Sequence, residues 1–330
     1  MASTIYDIAE RAGVGIATVS RVINGSSRVS DRTRAQVQAA MNELGFRPNA
    51  AARRLAAGAP SRPRVAALAP FFTSTFYFNV CKPMTSELRQ AGVDFVLVNV
   101  RDSEDADRQL ERLLTERGCE GVLLCSVELS DERQAQFENL GIPIIALDCD
   151  RAKVPHARVD NVEGGRILSR TLSEGGSQNQ VLVLGTRKSR VLLDREKGFL
   201  EASPPSSRVF EADALDIEAG ASMVEHLLRE VPNVDGIACT CDTLAVGIVR
   251  ELQKLGRKVP EEIQVVGFDD QPLMDVMGLT TIKQPMQEFG TWGARAVAAL
   301  IADPYKEVKS ETMPLEVMHR KTTRAPKNAN

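Results

Sequence analysis

The 330-residue sequence is poor in the features that mark membrane, secreted and metal-dependent proteins. It has no run of eighteen apolar residues, and its N-terminus lacks the apolar segment of a signal peptide. We therefore expect a soluble, cytoplasmic protein with no membrane partner. Its six cysteines are spread through a mostly apolar body, which is typical of reduced thiols rather than of a disulfide framework. No second cysteine pair stands at zinc-like spacing, and we expect neither a metal nor a cofactor.

Charge is unevenly distributed along the chain. The formal net charge is −3, yet residues 1–60 hold eight arginines and four acidic residues, a net +4 that leaves −7 for the remainder. A basic N-terminal segment on an acidic body indicates a polyanionic partner for the first part only. Without a binding motif in that segment, chance variation in surface charge would be the default explanation.

A helix-turn-helix pattern occupies the segment IYDIAERAGVGIATVSRVIN. Apolar residues recur at helical spacing from Ile5, stop at Gly13 and resume from Ile16. Two short helices joined by a tight turn make a helix-turn-helix, whose second helix would enter the DNA major groove. The segment from Gly13 to Thr18 also begins like a dinucleotide-binding glycine loop. That reading is excluded because the segment follows a helix rather than a strand and lacks the third glycine.

A third helix and a short hinge follow the motif. Ser30 is placed as the N-cap of a helix over about residues 31–44. The run 49–58 is only about two turns long, with Leu55 as its one large apolar residue. Helices shorter than ~12–15 residues are marginal in water, so we expect this run to be disordered or frayed until something binds it.

These segments resemble the DNA-binding headpiece and hinge helix of the LacI/GalR (lactose-repressor type) family of bacterial transcription regulators. The resemblance is continuous from Thr4 to Gly58, resumes in later motifs and covers nearly the whole chain. It implies a homodimer that binds near-palindromic double-stranded operator DNA with a central CG step. No leucine heptad follows the body, so the tetramerising helix of some relatives is missing.

Strands and helices alternate after the hinge. The candidate strands are continuous apolar runs, as expected for parallel strands covered on both faces, at 65–69, 95–100, 121–125, 144–148, 181–184, 236–240 and 264–268. Helical stretches lie between them at 82–90, 105–116, 161–173, 219–231, 244–255 and 290–301. This alternation predicts an α/β fold with doubly wound parallel sheets, most simply two of them.

Three domains are predicted from these boundaries. They are a helix-turn-helix headpiece at 1–48, a hinge helix and linker at 49–63, and an effector-binding and dimerisation core at 64–330. The resemblance implies that the core is similar to periplasmic sugar-binding proteins, with two lobes linked by three crossovers. We place lobe 1 at about 64–160 and 284–330, and lobe 2 at about 161–283.

Base readout is expected from the start of the recognition helix. Gly15, Ile16 and Ala17 stand there, and the last two offer only apolar contact, for instance to a thymine methyl. Arg21 is the best candidate for a bidentate contact to guanine, worth ~1–3 kcal/mol of discrimination; a solvated surface arginine is the alternative. The resemblance assigns further DNA contacts, mostly to phosphates, to Thr4, Tyr6, Thr18, Ser20, Asn24 and Thr33.

The resemblance places the hinge in the minor groove. Arg53 can pair with phosphates, and Leu55 matches the wedge leucine that, together with its counterpart, would pry open a central base step. Ala52 would lie against the groove floor, and Asn49 is placed to cap the run. An ordinary contact between Leu55 and the core is the alternative.

Ligands bind such two-lobed folds in the cleft between the lobes, at the strand ends. The resemblance assigns Arg195 to donate hydrogen bonds to ligand hydroxyls or a carboxylate, and Asp269 to accept from hydroxyls. The alternative is that one of the acids Asp269 and Asp270 caps the following segment, a role that we assign to Asp270 although the two are about equally placed for it. The other cleft residues that the resemblance implies are Phe76, Tyr77, Asp148, Cys241 and Met286.

Cys241 departs from the family pattern, in which many sugar-binding members have asparagine. A thiol is a weak donor and a poor acceptor, which weakens the case for a simple sugar. The aromatic first-lobe loop FFTSTFYF could stack on a sugar or a nucleobase ring. Cys239 and Cys241 are expected to point to one side of a strand, where core packing and redox sensing both remain open.

The leading hypothesis is a nucleoid-associated transcription regulator, a repressor of carbohydrate-metabolism genes controlled by a sugar or sugar derivative bound between the lobes. The alternative is a global catabolite-control regulator set by a phosphorylated carrier protein, which Cys241 favours. An enzyme with a DNA-binding tail is disfavoured, because the three histidines lie in no nucleophile-elbow or metal pattern. A solute receptor would need an export signal. Repression or activation, and inducer or corepressor, stay open.

Overall fold

The computed structural model describes residues 4–23, 26, 28–46, 62–70, 74–149, 153–187 and 189–325. Two compact units are distinguished, the first from the described parts of 1–70, 81–156 and 290–310, and the second from those of 71–80, 157–289 and 311–330. Within the described residues, no helix combines the length and the apolar character needed to cross a membrane.

Three helices make up the headpiece, namely α1 (Ile5–Ala12), α2 (Ile16–Ile23) and α3 (Asp31–Glu43). Thr4 caps α1 in a reciprocal capping box with Asp7, and Gly13 ends it in the left-handed conformation at φ 64°. The predicted cap Ser30 accepts from the Thr33 N–H at 3.3 Å. The helices bury a shared core of Ile8, Ala9, Val19, Val22, Val37, Ala40 and Met41. The predicted helix-turn-helix and its third helix are therefore confirmed.

The elements of the two α/β units alternate along the chain. The strands are β1 (Arg64–Ala69), β2 (Asp94–Asn99), β3 (Gly121–Cys125), β4 (Ile144–Leu147), β5 (His156–Arg158), β6 (Gln180–Leu184), β7 (Arg208–Glu211), β8 (Gly236–Cys239), β9 (Gln264–Asp269), β10 (Thr280–Lys283), β11 (Glu311–Thr312) and β12 (Glu316–Met318). The helices are α4 (Thr75–Gln90), α5 (Ser103–Thr115), α6 (Asp131–Asn139), α7 (Asn161–Glu174), α8 (Arg190–Ala202), α9 (Ile217–Glu230), α10 (Asp242–Lys254), α11 (Met274–Met277) and α12 (Met286–Ala302).

The described strands form two sheets of six. Their orders are β11-β5-β4-β3-β1-β2 and β12-β10-β9-β8-β6-β7. The inner strands pair in parallel, and β12 pairs antiparallel with β10. The strands β3, β4, β6, β8 and β9 are buried along their whole length, as continuous apolar runs predict. The predicted doubly wound α/β fold is confirmed.

The C-terminal stretch differs from the prediction, which assigned 284–330 to the first lobe. Residues 290–310 do cluster with the first unit, but the described residues from 311 onward cluster with the second. The physical reason is that β12 adds an edge strand to the second sheet, with Ile282 opposite Val317.

The aromatic segment predicted as a loop is also different. Helix α4 begins at Thr75, so Phe76 and Tyr77 lie in its first turn rather than in a loop. Pro83 lies inside this helix and lacks the N–H that would bond the carbonyl four residues earlier. That carbonyl, of Asn79, instead accepts from the Gln287 side chain at 3.4 Å.

Two helices of the second unit approach each other through glycine. A Cβ atom on Gly165 of α7 would lie 2.0 Å from the carbonyl oxygen of Arg195 in α8. A Cβ atom on Gly198 of α8 would lie 1.7 Å from the carbonyl oxygen of Val162. The two backbones are therefore in direct contact, a packing that only glycine permits. This contact brings Arg195 beside the first residue of α7, Asn161.

Candidate functional site

The recognition helix α2 presents a mixed surface to solvent. Val19 and Val22 are buried in the headpiece core, and Gly15 begins the helix by accepting from the Thr18 N–H at 2.8 Å. Ile16, Ala17 and Arg21 are exposed, with Ile16 at 43%. The residues predicted to read bases therefore share one exposed surface.

The other predicted DNA contacts of the headpiece differ in their availability. Tyr6 is 66% exposed on α1. The Thr4 hydroxyl, in contrast, donates to Asp7 Oδ2 at 2.8 Å, and hydrogen bonds from the backbone and side chain of Thr4 lower the pKa of Asp7. Thr33 is half-buried beside Ser30, with 2.9 Å between the hydroxyl oxygens, and Thr18 and Ser20 are also half-buried. A phosphate needs a donor, and Thr4 already uses its hydroxyl proton within the cap.

Five predicted DNA contacts lie outside the described residues. They are Asn24 of the headpiece and Asn49, Ala52, Arg53 and Leu55 of the hinge. Their roles in phosphate binding and minor-groove insertion stay predictions.

Arg195 lies at the centre of a buried polar cluster in the second unit. It is only 3% exposed, donating from Nε to Asn161 Oδ1 at 2.9 Å and from Nη1 to the carbonyl of Thr240 at 2.7 Å. The guanidinium carbon lies 3.7 Å from the ring centroid of Phe268, a cation–π distance. These contacts fix the arginine at the carboxyl ends of the adjacent strands β8 and β9.

Asp269 lies opposite this arginine. Its Oδ1 atom is 4.0 Å from Arg195 Nη1 and accepts from Gln284 Nε2 at 2.8 Å, while Oδ2 accepts from Gln271 Nε2 at 3.0 Å. Burial raises the pKa of the Asp269 carboxyl, against the lowering effects of Arg195 and the two glutamine amides. The structure therefore brings these two residues together, and their role in effector binding stays a prediction.

The cluster contains buried polar atoms without a hydrogen-bond partner in the described part of the chain. They are Asn161 Nδ2, Thr240 Oγ1 and Gln284 Oε1. Each belongs to a residue that already bonds Arg195 or Asp269 through another atom. Buried polar groups are nearly always hydrogen-bonded, to protein or to ordered water, so such a concentration marks a place for a polar partner, either water or a ligand. The site offers donors and acceptors together, as a hydroxyl-rich ligand requires.

The aromatic and sulfur-containing residues predicted for the site lie in the same unit. Phe76 is buried and contacts Tyr77 edge-to-face, with 5.3 Å between ring centroids. Met286 is buried at the start of α12. The aromatic side chain that does face solvent is the neighbouring Phe78, which is 65% exposed.

Cys241 lies at the end of β8 as the N-cap of α10. Its sulfur is 3.2 Å from the Thr243 hydroxyl, and burial raises the pKa of the thiol to about 12. Burial likewise raises the pKa of Cys239, and both cysteines belong to one apolar core cluster. Thiols held protonated are poor nucleophiles, which favours core packing over redox sensing. Among the described residues, no group of three potential ligands could hold a metal ion.

Asp148 belongs to the first unit, unlike the other predicted effector residues. It follows β4, is 5% exposed and adopts φ 53°. Its Oδ2 atom accepts from the Ser126 hydroxyl at 2.7 Å. The neighbour of Asp269, Asp270, has a separate role, because it pairs with Arg320 at 2.7 Å rather than capping the following segment.

Several cluster residues escaped the sequence reasoning. From the sequence, Asn161 could be identified only as the start of a helix. Gln284 could be identified only as the point at which the chain returns to the first lobe. Gln271 and Asp242 carried no distinguishing pattern. Their one shared signal is position, since each lies at or just after the carboxyl end of a strand or at a helix start.

A helix-turn-helix headpiece followed by two α/β sheets and a buried polar cluster is the arrangement expected of a ligand-responsive transcription regulator. The family model of bacterial regulatory proteins, lacI family, matches residues 4–49. The model of periplasmic binding proteins and the sugar-binding domain of the LacI family matches residues 62–318. The chain belongs to the LacI family of bacterial transcription regulators.

Individual relatives span almost the whole chain. The ribose operon repressor of Bacillus subtilis (strain 168) is 30% identical, covering 98% of this chain and 99% of its own length. The solved transcriptional regulator CelR–cellobiose complex is 27% identical at a TM-score of 0.68, covering 97% and 99%. The Lac repressor dimer bound to operator and the anti-inducer ONPF is 26% identical at a TM-score of 0.70, covering 98% and 100%.

Proposed function

We propose that the protein is a homodimeric repressor of carbohydrate-metabolism genes rather than an enzyme. It binds near-palindromic operator DNA, and a small neutral sugar bound at the Arg195–Asp269 cluster sets its operator affinity. Its place is then in the cytoplasm, on the nucleoid. The observation that supports this proposal most directly is one buried cluster that combines an arginine, a carboxylate and three polar atoms without partners among the described residues.

The balance of charge in the cluster favours a neutral ligand. Arg195 is already met by the Asn161 and Thr240 oxygens and faces Asp269. The buried Asp242 carboxyl lies close enough to Asp269 for the two to repel each other when both are ionised. A ligand phosphate or carboxylate would add a negative charge next to these carboxyls, which costs free energy in a desolvated site. The ribose operon repressor and the CelR–cellobiose complex among the relatives agree with a neutral sugar.

Exposed apolar side chains support a homodimer. In the second unit, Leu273, Val276 and Met277 are 67%, 77% and 54% exposed on neighbouring positions. In the first unit, Val96 and Leu97 of the edge strand β2 are 37% and 53% exposed. Grouped apolar side chains on a surface are typical of protein–protein contacts. The Lac repressor dimer among the relatives is consistent with this assembly.

Operator binding by fluorescence anisotropy tests the proposal. The probe is a labelled palindrome with a central CG step, titrated with full-length protein and repeated with D-ribose, cellobiose and their phosphate esters. We expect specific binding that one neutral sugar shifts at least tenfold, which corresponds to about 1.4 kcal/mol of coupling. The sign of the shift distinguishes inducer from corepressor.

The same titration separates the alternative function. If only a phosphorylated carrier protein shifts operator affinity, the catabolite-control reading replaces the sugar reading, in line with Cys241 at a position where sugar-binding members have asparagine. If the palindrome binds no better than a scrambled duplex at equal salt, the DNA-binding proposal is wrong.

A further inference from the structure

We propose that Asp242 is a positioning residue for the effector cluster, holding the turn after β9 in the conformation that presents Asp269 to Arg195. The proposal rests on the effector role of Asp269 stated above. Asp242 is the first residue of α10 and is fully buried. None of the hydrogen bonds of the cluster joins Asp242 to Arg195, and Asp242 is not one of the residues proposed to touch the ligand. Its contribution is therefore made through other residues.

Asp242 binds the turn through both carboxyl oxygens. Its Oδ2 atom accepts from the backbone N–H of Gln271 at 2.7 Å, and its Oδ1 atom accepts from the Thr281 hydroxyl at 2.5 Å. The oxygen of that hydroxyl in turn accepts from the backbone N–H of Asp270 at 3.4 Å. One buried carboxyl and one hydroxyl therefore hold two consecutive amides of the turn.

The turn needs such support because its backbone is strained. Asp269, Asp270 and Leu273 have φ values of 115°, 55° and 81°. Non-glycine residues in such regions cost about 1–3 kcal/mol each and persist only where the surroundings hold them. Without the two amide contacts, relaxation of the turn would move the backbone of Asp269 itself.

The contacts continue from the turn to the ligand-facing carboxylate. Gln271, whose backbone N–H is held by Asp242, donates from its side chain to Asp269 Oδ2 at 3.0 Å. Its side-chain oxygen accepts from the Thr75 hydroxyl at the start of α4. The position of Gln271 thus fixes one of the two amide donors that orient Asp269.

The sequence of β9 makes room for the buried carboxyl. A Cβ atom on Gly267 would lie 2.4 Å from Asp242 Oδ1. Any other residue at this position would push the carboxyl off the turn. The absence of a side chain at Gly267 in β9 therefore leaves the space that the Asp242 carboxyl occupies.

Amide hydrogen exchange on the full-length protein tests the role directly. In Asp242→Ala we expect the amides of 269–271 to exchange at least tenfold faster, because the Gln271 N–H loses its acceptor and the Thr281 hydroxyl that holds the Asp270 N–H loses its own, while those of β6 stay unchanged. Asp242→Asn keeps an acceptor for the Gln271 N–H and is expected to stay within about threefold of the wild type. Thr281→Val, which removes only the hydroxyl, should loosen the same turn if Asp242→Ala does not fold.

The local pattern of exchange distinguishes positioning from a helix-terminus effect. An acidic residue at the start of α10 also stabilises that helix through its dipole. If Asp242→Ala speeds exchange at the N-terminal turn of α10 but not at 269–271, the positioning role is wrong. Unchanged exchange at 269–271 in both folded Asp242→Ala and Thr281→Val also overturns it.

Sugar binding supplies the functional readout. With D-ribose and cellobiose as calorimetric probes, we expect Asp242→Ala to weaken whichever sugar binds by at least tenfold, with Asp242→Asn restoring most of the affinity. Full affinity in a folded Asp242→Ala protein would overturn the proposal. If the wild type binds neither sugar, the proposed effector class fails, whereas the exchange experiment still decides the role of Asp242.

Discussion

The headpiece and the second α/β unit place the residues of their predicted sites in opposite environments, one exposed to solvent and the other buried. The headpiece carries the side chains predicted to read bases on the exposed surface of one helix, with Ile16, Ala17 and Arg21 within six consecutive positions. The cluster of the second unit brings Asn161, Arg195 and Gln284 together from positions more than 120 residues apart and buries all three. A surface that meets DNA needs only to be exposed and correctly spaced, whereas a site that excludes water must satisfy every polar group it buries.

This difference predicts opposite tolerance to substitution. Headpiece changes on the exposed surface of α2 should alter DNA affinity with little effect on folding. Changes in the second unit should affect binding and stability together, because its functional residues are also structural contacts. The following experiments compare the two regions, beginning with the largest expected effect.

The largest effect is expected where the backbones of α7 and α8 touch. Gly198→Ala would place a Cβ atom 1.7 Å from the Val162 carbonyl oxygen, and the helices must separate to admit it. We expect a loss of about 3 kcal/mol or more in the free energy of unfolding, measured by urea titration of the full chain. Gly15→Ala is the matched headpiece control, since nothing lies within 4 Å of its added Cβ; its cost should stay within about 1 kcal/mol. Equal losses in the free energy of unfolding of the two variants would contradict the expected difference in tolerance between the two regions.

Loss of the buried arginine should come next. Arg195→Ala leaves the Asn161 and Thr240 oxygens and the Asp269 carboxylate without their cation. Removing one partner of a buried charged pair costs about 2–5 kcal/mol in binding, so we expect at least a hundredfold weaker sugar affinity by calorimetry. Lys197→Ala, on the same helix but with a 63% exposed side chain, should change affinity less than threefold. If Arg195→Ala keeps the sugar affinity of the wild type, this cluster is not the effector site.

The two regions also differ in how much of their structure could be predicted from the sequence. The ends of α2 and the cap Ser30 were predicted because capping and apolar spacing are decided by neighbours in the chain. The seven strands predicted from apolar runs are all present for the same reason. The edge strands β7 and β12 were missed because they are short and partly exposed. Helix α8 was missed because its apolar spacing is interrupted by the charged residues that it carries.

The buried cluster could be predicted only in part. Arg195 and Asp269 were predicted because they match a family motif. Thr240 and Gln284 join them because β8, β9 and β10 are neighbours in the sheet, so that their carboxyl ends meet. Strand order is a long-range property that no local pattern specifies. The positive φ of Asp269 and Asp270 is equally invisible, since nothing in their residue types requires it.

Base readout by the headpiece should show a moderate effect without a stability cost. Arg21→Ala removes the proposed guanine contact, worth about 1–3 kcal/mol in each half-site, and should leave the free energy of unfolding nearly unchanged. Anisotropy against palindromes that vary one base pair at a time should show that the preference at a single position disappears. Arg11→Ala is the control, because this exposed arginine pairs with Glu43 within the headpiece. If both variants weaken all palindromes equally, Arg21 contributes only charge.

The smallest expected effect is a pH dependence that distinguishes buried from exposed carboxyls. Burial, followed by the charge of Asp269, raises the pKa of Asp242 well above its ordinary value of 3.8. Between 3.8 and the raised pKa, the folded protein binds more protons than the unfolded chain, so stability falls as the pH rises through this window. Asparagine does not titrate, and Asp242→Asn should therefore show a shallower fall in the free energy of unfolding above pH 4.

An exposed acid in the same unit supplies the opposite sign. Hydrogen bonds from Arg170 and Arg166 lower the pKa of Glu163 below its ordinary value of 4.5. Its contribution is complete above that value and is lost as the pH falls through the lowered pKa, so Glu163→Gln should flatten the acid side of the curve instead. Urea titrations from pH 3 to pH 8 should separate the two variants by the side on which each curve flattens. Parallel curves for the wild type and Asp242→Asn above pH 4 would mean that the buried carboxyl keeps its charge throughout, and that the turn after β9 is held by a carboxylate.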